Sequence, residues 1–228
     1  PVAGNGVGHD AFRHAEHALL DLLGDLDVAF TEATGDATRM TREALQRGAR
    51  DIVVAGGDGT ANEVLNGWFD EAGAALAPDA RLIVLPGGTG SDLARTFGLE
   101  TPESVLDALR LHKSRLVDVG QVRCQALDGP GSVERRFLNI ASMGLSGLVN
   151  QGVSRFTSMG GTIAYAAATA MSLVGWKNPS VRVTYEQHGE TTVYEGRIVT
   201  AACANGRFFG GGMQIAPAAD PFDGVLDL

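Results

Sequence analysis

The sequence predicts an α/β first domain with a parallel sheet and a mainly antiparallel β second domain. In the first half of the 228 residues, helical and strand periodicities alternate, which is typical of a parallel sheet with crossover helices. Beyond residue 118, alternating segments follow one another with few helices between them, as in antiparallel sheets. The charge balance changes at the same place, from −9 over residues 1–118 to zero over residues 119–228.

The elements of the first domain follow from residue spacing and from the residues that end each element. Apolar side chains recur at helical spacing over residues 12–23, and Gly24 follows as a C-terminal cap. A second helix is expected over residues 36–46, with Gly48 after it. Short apolar runs predict buried parallel strands over residues 51–55 and 81–86. The further helices are residues 60–69, residues 93–97 and a segment that opens at Thr101-Pro102.

The second domain, residues 119–228, is expected to be rich in strands, and the first, residues 1–118, to bind nucleotide. The predicted strands are residues 136–142, 181–186, 192–204 and 225–228. Residues 156–176 carry no charge, but glycines and hydroxyl side chains interrupt the apolar ones. We therefore expect a buried amphipathic helix and no transmembrane span. The chain starts with Pro1 and stops inside a predicted strand, so we expect a portion of a longer protein, truncated at its C-terminus.

Composition excludes several classes of protein. With 44% hydrophobic and 20% charged residues, the chain can bury a core and is neither disordered nor collagen-like. A net charge of −9 argues against nucleic acid as a partner, because duplexes bind basic surfaces. No lysine follows a glycine, which excludes a P-loop. Cys124 and Cys203 match no metal-binding spacing, so we expect both to be small buried hydrophobes in a reducing compartment.

The segment Gly56-Gly57-Asp58-Gly59-Thr60 lies between a predicted strand and a predicted helix. Glycines at such a turn let backbone N–H groups approach an anion, and the helix dipole favours a phosphate there. Thr60 can cap the helix or offer its hydroxyl to the phosphate. Asp58 would repel the phosphate unless a divalent cation bridges them or the carboxylate accepts a proton from an attacking hydroxyl. A tight turn with Asp58 as a capping residue is the alternative.

A second glycine-rich segment, Pro86-Gly87-Gly88-Thr89-Gly90-Ser91-Asp92, again follows a strand and opens a helix. Two such loops at the carboxyl ends of parallel strands lie at the edge where open α/β sheets bind ligands. Asp92 also has a simpler explanation, since the helix dipole favours an acidic residue in the first turn.

Residues 56–63 (GGDGTANE) and 85–95 (LPGGTGSDLAR) together resemble the diacylglycerol kinase catalytic domain family, which includes bacterial lipid kinases, sphingosine kinases and ceramide kinases. Residues 137–144 (FLNIASMG), 205–207 (NGR) and the block from Gly210 to Gly224 are similar to that family too. The resemblance spans essentially the whole chain. It implies a Rossmann-like first domain of the NAD kinase/diacylglycerol kinase type, which binds ATP, and a cleft that receives lipid.

The resemblance also implies roles for individual residues. Asp58 would be catalytic, either organising Mg²⁺ or accepting the proton of the hydroxyl. The nucleotide would contact Thr31, Gly56, Gly57, Asp58, Gly59, Thr60, Ala61, Asn62 and Thr89. A structural Mg²⁺ would be held by Asp220, Asp223 and the carbonyl of Val225, and such oxygen ligands suit this ion. A hairpin turn at Asp223-Gly224 is the alternative reading of that dipeptide.

Two departures from the family pattern affect these expectations. Ser91 stands where the family usually has asparagine, so a hydrogen bond there is shorter-reaching or lost. Bacterial members carry a proposed general-base glutamate in a C-terminal segment, and this chain stops before that segment. We therefore expect this chain by itself to bind nucleotide yet to fail to turn over.

The resemblance predicts an ATP- and Mg²⁺-dependent kinase acting on a diacylglycerol-like hydroxyl. It would be cytoplasmic and meet its lipid at the membrane surface, and a strand edge of its second domain could pair with a copy in a homodimer. The alternatives are a soluble-substrate kinase of the NAD kinase type and a non-catalytic nucleotide or lipid sensor. Six arginines could face anionic headgroups or be ordinary surface charges, and three histidines are expected on a solvated helix face. They are Arg135, Arg136, Arg155, Arg182, Arg197 and Arg207, with His9, His14 and His17.

Overall fold

The computed structural model describes residues 7–87, 91–126, 129–147, 149, 176–187 and 189–228. It divides into two compact units. The first comprises Pro1–Ile140 with Ala204–Asp227, and the second comprises Ala141–Cys203 with Leu228. The domain bounds expected from the sequence, residues 1–118 and 119–228, stay a prediction.

The described part of the first unit holds five helices and six strands. The helices are α1 (Val7–Leu23), α2 (Asp36–Gln46), α3 (Asp58–Gly67), α4 (Asp92–Phe97) and α5 (Pro102–Arg110). The strands are β1 (Asp51–Gly56), β2 (Arg81–Pro86), β3 (Gly120–Gln125), β4 (Ser132–Phe137), β9 (Phe208–Phe209) and β10 (Met213–Gln214). The other strands are β5 (Ile140–Gly144), β6 (Ser180–Gln187), β7 (Glu190–Arg197) and β8 (Thr200–Ala204).

Strands β1 and β2 pair in parallel, with Val54 opposite Val84 and Val53 opposite Ile83. Successive side chains of a strand point to opposite faces, so the pair is covered on both. Val54 and Val84 pack in one cluster with residues of α2, α3 and α4, whereas Ile83 and Leu85 pack with residues of α1 and α5. The two predicted strands are therefore confirmed as a parallel pair, which is part of the parallel sheet expected from the sequence.

The residues that end the helices behave largely as the sequence predicts. Gly24 and Gly48 follow α1 and α2 with left-handed φ values of 84° and 95°. Thr101 caps α5 in a reciprocal capping box with Ser104, and Pro102 is the first helical residue. Thr60, however, does not cap α3. The helix already begins at Asp58 with Gly57 as its N-cap, because Gly57 is the last extended residue of the turn.

The remaining strands pair antiparallel where register is defined: β3 with β4, β6 with β7, and β9 with β10. Two predicted strands are each interrupted. Residues 136–142 split between β4 and β5 because the Asn139 carbonyl accepts hydrogen bonds from the amides of Asn205 and Gly206. Residues 192–204 split between β7 and β8, where the Ile198 amide instead donates to the Pro179 carbonyl. β5 and β8 form a two-stranded sheet.

Three other expectations have mixed outcomes. Residues 225–228 form a single bridge between Asp227 and Ala204 rather than a strand. Cys124 is exposed, contrary to prediction, because the side chains of β3 beyond Gly120 face solvent, and Cys203 is half-buried. The helix expected over residues 156–176 lies outside the described residues, apart from Trp176. Among the helices that the structure does describe, none has the length and hydropathy to span a bilayer.

Candidate functional site

The carboxyl ends of β1 and β2 meet the first turn of α1. A Cβ atom on Gly8 would lie 2.7 Å from the carbonyl oxygen of Ala55. A Cβ atom on Gly87 would lie 2.6 Å from the Cα atom of Gly8. These three backbones therefore come together because two of the positions are glycine. The turn from β1 into α3 starts at this point.

Gly57 and Gly59 in that turn have no structural need to be glycine. Gly57 has φ −87° and ψ 179°, which any residue adopts, and Gly59 lies in the first turn of α3 without a positive φ. A Cβ atom added at either position would meet no atom of the described residues within 4 Å. Glycine in a helix lowers stability by roughly 1 kcal/mol relative to alanine. The described residues around Gly59 offer no contact that would offset this cost. Neither glycine is therefore explained by its backbone angles or by the described residues around it.

The carboxylate of Asp58 faces the N-terminus of α4. Its two oxygens accept hydrogen bonds from the backbone amides of Asp92 and Leu93, each at 3.1 Å. Burial raises the pKa of Asp58 above its ordinary value of 3.8, and the nearby Asp92 carboxylate raises it further against the lowering effect of the two amides. Asp58 of the first glycine loop is thus hydrogen-bonded to the start of α4, which directly follows the second glycine-rich segment.

Asp92 is 2% exposed and connects α4 to the closing glycine block. One of its oxygens accepts a hydrogen bond from Arg95 Nη1 at 2.9 Å, and the other accepts from the Gly211 amide at 2.8 Å. Gly210, Gly211 and Gly212 all have left-handed φ values, of 65°, 88° and 108°. The predicted dipole role of Asp92 at the start of α4 is therefore accompanied by a second role, as the acceptor for the glycine block.

Thr31 lies in a loop, residues 31–36, that leads into α2. The Asp36 carboxylate closes this loop on itself by accepting the amides of Glu32 and Ala33 at 2.8 and 2.9 Å. These two hydrogen bonds hold the pKa of Asp36 below its ordinary value. The Gly35 amide donates to Glu63 Oε2 of α3 at 2.9 Å, so the loop is also tied to the helix of the first glycine loop.

A cleft of about 400 Å³ opens beside this loop, between α2, α3 and β4. Arg42, Glu63 and Arg136 contribute charged side chains to its wall. Arg136 stacks over the Phe69 ring at 4.0 Å and donates to the Gly73 carbonyl at 3.3 Å. The Nε atom of Arg42 is buried without a hydrogen-bond partner within the described structure.

The structure brings some of the predicted site residues together. Gly56 to Asn62 run from the end of β1 into α3, and the Thr31 loop is attached to the next residue, Glu63. Thr89 lies outside the described residues. Sequence reasoning gave no role to Glu63 or Arg95, although both lie inside the two motifs that it singled out.

The predicted metal ligands occupy one turn near the end of the chain. Asp220 Oδ1 accepts the Phe222 amide at 3.2 Å, and Asp223 Oδ1 accepts the Val225 amide at 2.9 Å. Asp118, which sequence reasoning missed, accepts the Gly224 amide at 2.7 Å. The described residues contain no group of three or more His, Cys, Asp or Glu side chains placed to hold a metal ion. The donors are nevertheless carboxylate and carbonyl oxygens, which fit Mg²⁺ with water completing its shell.

Several of the arginines and histidines considered in the sequence analysis bond to other groups of the protein. Arg182 pairs with Glu195, Arg197 donates to the Asn178 carbonyl, and Arg207 donates to the Ala219 carbonyl. His14 pairs with Glu103 at 3.1 Å on the surface. Arg155 lies outside the described residues.

Both halves of the sequence match known domain families. Residues 1–122 match the "Diacylglycerol kinase catalytic domain". Residues 139–228 match the "YegS C-terminal NAD kinase beta sandwich-like domain". The family expected from the sequence motifs is therefore confirmed.

Curated proteins and solved structures agree with these matches. A protein from Pseudomonas syringae pv. tomato named "Probable lipid kinase YegS-like" is 33% identical over 213 residues, which are 90% of this chain and 61% of that protein. A "Diacylglycerol kinase" from Mycobacterium tuberculosis is 29% identical, over 97% of this chain and 69% of its own length. A crystal structure of a diacylglycerol kinase from Bacillus anthracis has a TM-score of 0.65 and 26% identity, and the match covers 99% of this chain and 70% of that one. The chain thus spans about three fifths of the Pseudomonas relative.

Proposed function

The chain belongs to the diacylglycerol kinase catalytic domain family, and we propose that it acts as a lipid kinase that transfers the γ-phosphoryl group of ATP to a lipid hydroxyl. The observation that carries the proposal is the open space at Gly57 and Gly59, in a turn whose backbone does not require glycine. A nucleotide phosphate that approaches the backbone closely accounts for both glycines. The kinase names of the relatives support the same reaction class.

The nucleotide would lie along the turn from β1 into α3. Gly56 to Asn62 would contact its phosphates, since the described residues leave the Cβ positions of Gly57 and Gly59 open and the start of a helix favours an anion. Thr31 would contact it from the neighbouring loop, and Thr89 from the second glycine loop. Catalysis of phosphoryl transfer consists mostly of positioning and of charge neutralisation, which such a cradle supplies.

Asp58 is the candidate catalytic residue. In the transfer, the lipid hydroxyl oxygen forms a bond to the γ-phosphorus while the bond to the β,γ-bridging oxygen breaks and ADP leaves. The hydroxyl proton would pass to the Asp58 carboxylate. Burial raises the pKa of this carboxyl, which brings it closer to neutral pH and supports a role as proton acceptor. Each of its oxygens can still accept a second hydrogen bond beyond those from Asp92 and Leu93.

Two magnesium roles belong to the proposal. Asp220, Asp223 and the Val225 carbonyl would hold a structural ion in the turn that Asp118 fastens through the Gly224 amide. When bound near the phosphates, Mg²⁺ supplies neutralisation of their negative charge. Asp58 could organise such an ion instead of accepting the proton.

A diacylglycerol-like acceptor, presented at a cytoplasmic membrane surface, is the substrate we propose. The support is the lipid kinase naming of the relatives, including the mycobacterial diacylglycerol kinase. Pairing of two copies through a strand edge of the second domain remains part of the proposal.

The test is a transfer assay on the full-length protein that contains this chain. Labelled ATP, Mg²⁺, NAD and mixed micelles carrying diacylglycerol or other hydroxyl lipids would be supplied, and the label would be followed both into the organic phase and onto NAD. Labelled lipid supports the proposal, and its mobility identifies the acceptor; micelles without acceptor lipid are the control. Label on NAD instead would support a soluble-substrate kinase. ATP binding without any transfer would support a nucleotide sensor.

A further inference from the structure

The loop of residues 31–36 depends on another element for its position. Its residues from Glu32 to Gly35 are exposed, and the two hydrogen bonds to Asp36 stay within the loop. These internal bonds fix the shape of the turn but not its place relative to α3. The Gly35 amide, which donates to Glu63 Oε2 at 2.9 Å, makes the connection to that helix.

Glu63 is well placed for this connection because α2 and α3 pack closely. Thr38 Oγ1 of α2 donates to the Glu63 carbonyl at 2.9 Å. Further along, a Cβ atom on Gly67 would collide with the Thr38 carbonyl and lie 2.7 Å from Thr41 Cβ. The Glu63 backbone is therefore held against the first turns of α2, and its half-buried side chain needs to reach only to Gly35.

The bond between Glu63 and Gly35 spans two stretches expected to touch the nucleotide. Glu63 follows Asn62 directly in α3, and Gly35 follows Thr31 by four residues in the loop. An N–H that donates to a carboxylate makes a hydrogen bond roughly twice as strong as a neutral one. The Glu63 side chain thus links the Thr31 loop directly to the helix of the first glycine loop, in addition to the packing of α2 on α3.

We propose that Glu63 is a positioning residue that holds the Thr31 loop beside the first glycine loop, so that ATP contacts both loops without having to reposition either. This inference rests on the proposed function. Loss of the acceptor should weaken ATP binding while leaving the chemical step at saturating ATP unchanged. A residue with a merely structural role would instead lower stability and activity together.

The experiment compares Glu63→Met with Glu63→Gln in the full-length protein. Methionine has nearly the length of glutamate but lacks a strong acceptor, whereas glutamine keeps one. For Glu63→Met we expect the KM for ATP to rise about ten-fold, the effect of losing a hydrogen bond to a charged group, with kcat within about two-fold of wild type. Glu63→Gln should restore most of the KM. Glu43→Met, which removes an exposed carboxylate of α2 paired with Arg39 at 3.1 Å, is the matched control.

Two further measurements separate the possible failures. Hydrogen exchange of peptides covering residues 31–36 should be faster in Glu63→Met than in wild type, with or without nucleotide, and calorimetry should show the same weakening of ATP binding. An unchanged exchange rate and an unchanged KM would overturn the inference while leaving the proposed kinase intact. A wild-type protein that binds no ATP would overturn the proposed function and this inference together.

Discussion

Two of the glycine clusters in the first unit, Gly56 to Gly59 and Gly210 to Gly212, contain glycine for opposite reasons. In the first, Gly57 and Gly59 have ordinary backbone angles and empty space where a side chain would begin. In the second, Gly210 to Gly212 have left-handed φ values that L-residues rarely adopt. Among the described residues, nothing in the first cluster requires glycine at positions 57 and 59. In the second cluster the left-handed φ values are a sufficient requirement. A row of glycines indicates a ligand only when the backbone does not already require it.

The carboxylates beside the clusters differ in the same way. Asp58 is engaged by two amides of α4 yet borders the open space of the first cluster. Asp92, 2% exposed, is enclosed between Arg95 and Gly211 and fixes the second cluster. Asp58 is accordingly the better candidate for chemistry, and Asp92 the better candidate for positioning. Three substitutions test this contrast.

The largest effect is expected for Asp58→Asn. Removal of a proton acceptor should lower kcat by roughly 100- to 10,000-fold, while ATP binding stays detectable. The wild-type profile should lose activity as pH falls through the pKa of Asp58, because the protonated carboxyl accepts no proton. Since burial raises that pKa, this acid limb should lie above the pH range of an exposed aspartate. Initial rates measured against pH would give both the fall in kcat of Asp58→Asn and the position of the acid limb in wild type.

The control for Asp58→Asn must account for its hydrogen bonds. Asparagine turns an NH₂ group toward one of the two α4 amides, so some loss of thermal stability is expected, of about 1–3 kcal/mol. Asp70→Asn is the matched variant, since Asp70 accepts the Ala74 amide at 2.8 Å in an exposed loop. Turnover by Asp58→Asn at the level of Asp70→Asn would remove Asp58 from the reaction.

An intermediate effect is expected for Gly57→Ala. A methyl group there meets none of the described residues but would enter the space that we propose for the phosphate. Misplacing the reacting phosphate by about 1 Å can cost on the order of 100-fold in turnover. ATP binding by calorimetry and kcat/KM should therefore fall while the melting temperature stays close to that of wild type. Wild-type affinity for ATP in this variant would place the nucleotide elsewhere.

The smallest effect, and the sharpest test of the contrast, is on stability. Gly211 also has no atom within 4 Å of its Cβ position, so it differs from Gly57 chiefly in its φ of 88°. Gly211→Ala should destabilise the fold by about 1–2 kcal/mol, the cost of a left-handed conformation for an L-residue. Gly57→Ala should change the stability by less than about 1 kcal/mol, because the restriction of the unfolded chain offsets the poorer N-cap propensity of alanine. Urea denaturation of both variants measures the difference, and equal values would erase the distinction between the clusters.

The sequence by itself determined the features that depend on near neighbours. Residues 51–55 and 81–86 were predictable as strands because apolar runs of that length suit a sheet covered on both faces, and Thr101-Pro102 because a cap acts within one helical turn. The glycine and aspartate motifs were equally visible, since the residues of a strand-to-helix turn are neighbours in sequence. Prediction was poorer where strands end: residues 136–142 alternate without a break, and only the distant partner of Asn139 interrupts them.

Tertiary structure alone decided which groups meet at the site. Asp58 bonds to an amide 34 residues away, Glu63 to one 28 residues away, and Asp92 to one 119 residues away. Such pairings depend on how helices and strands pack, and a carboxylate in a motif can accept an N–H from any element brought within reach. Thr60 was likewise predicted as a cap from its position after the glycines, whereas in the structure α3 begins earlier and Gly57 is its N-cap. Local chemistry is encoded residue by residue, but the distances between loops arise only when the core assembles.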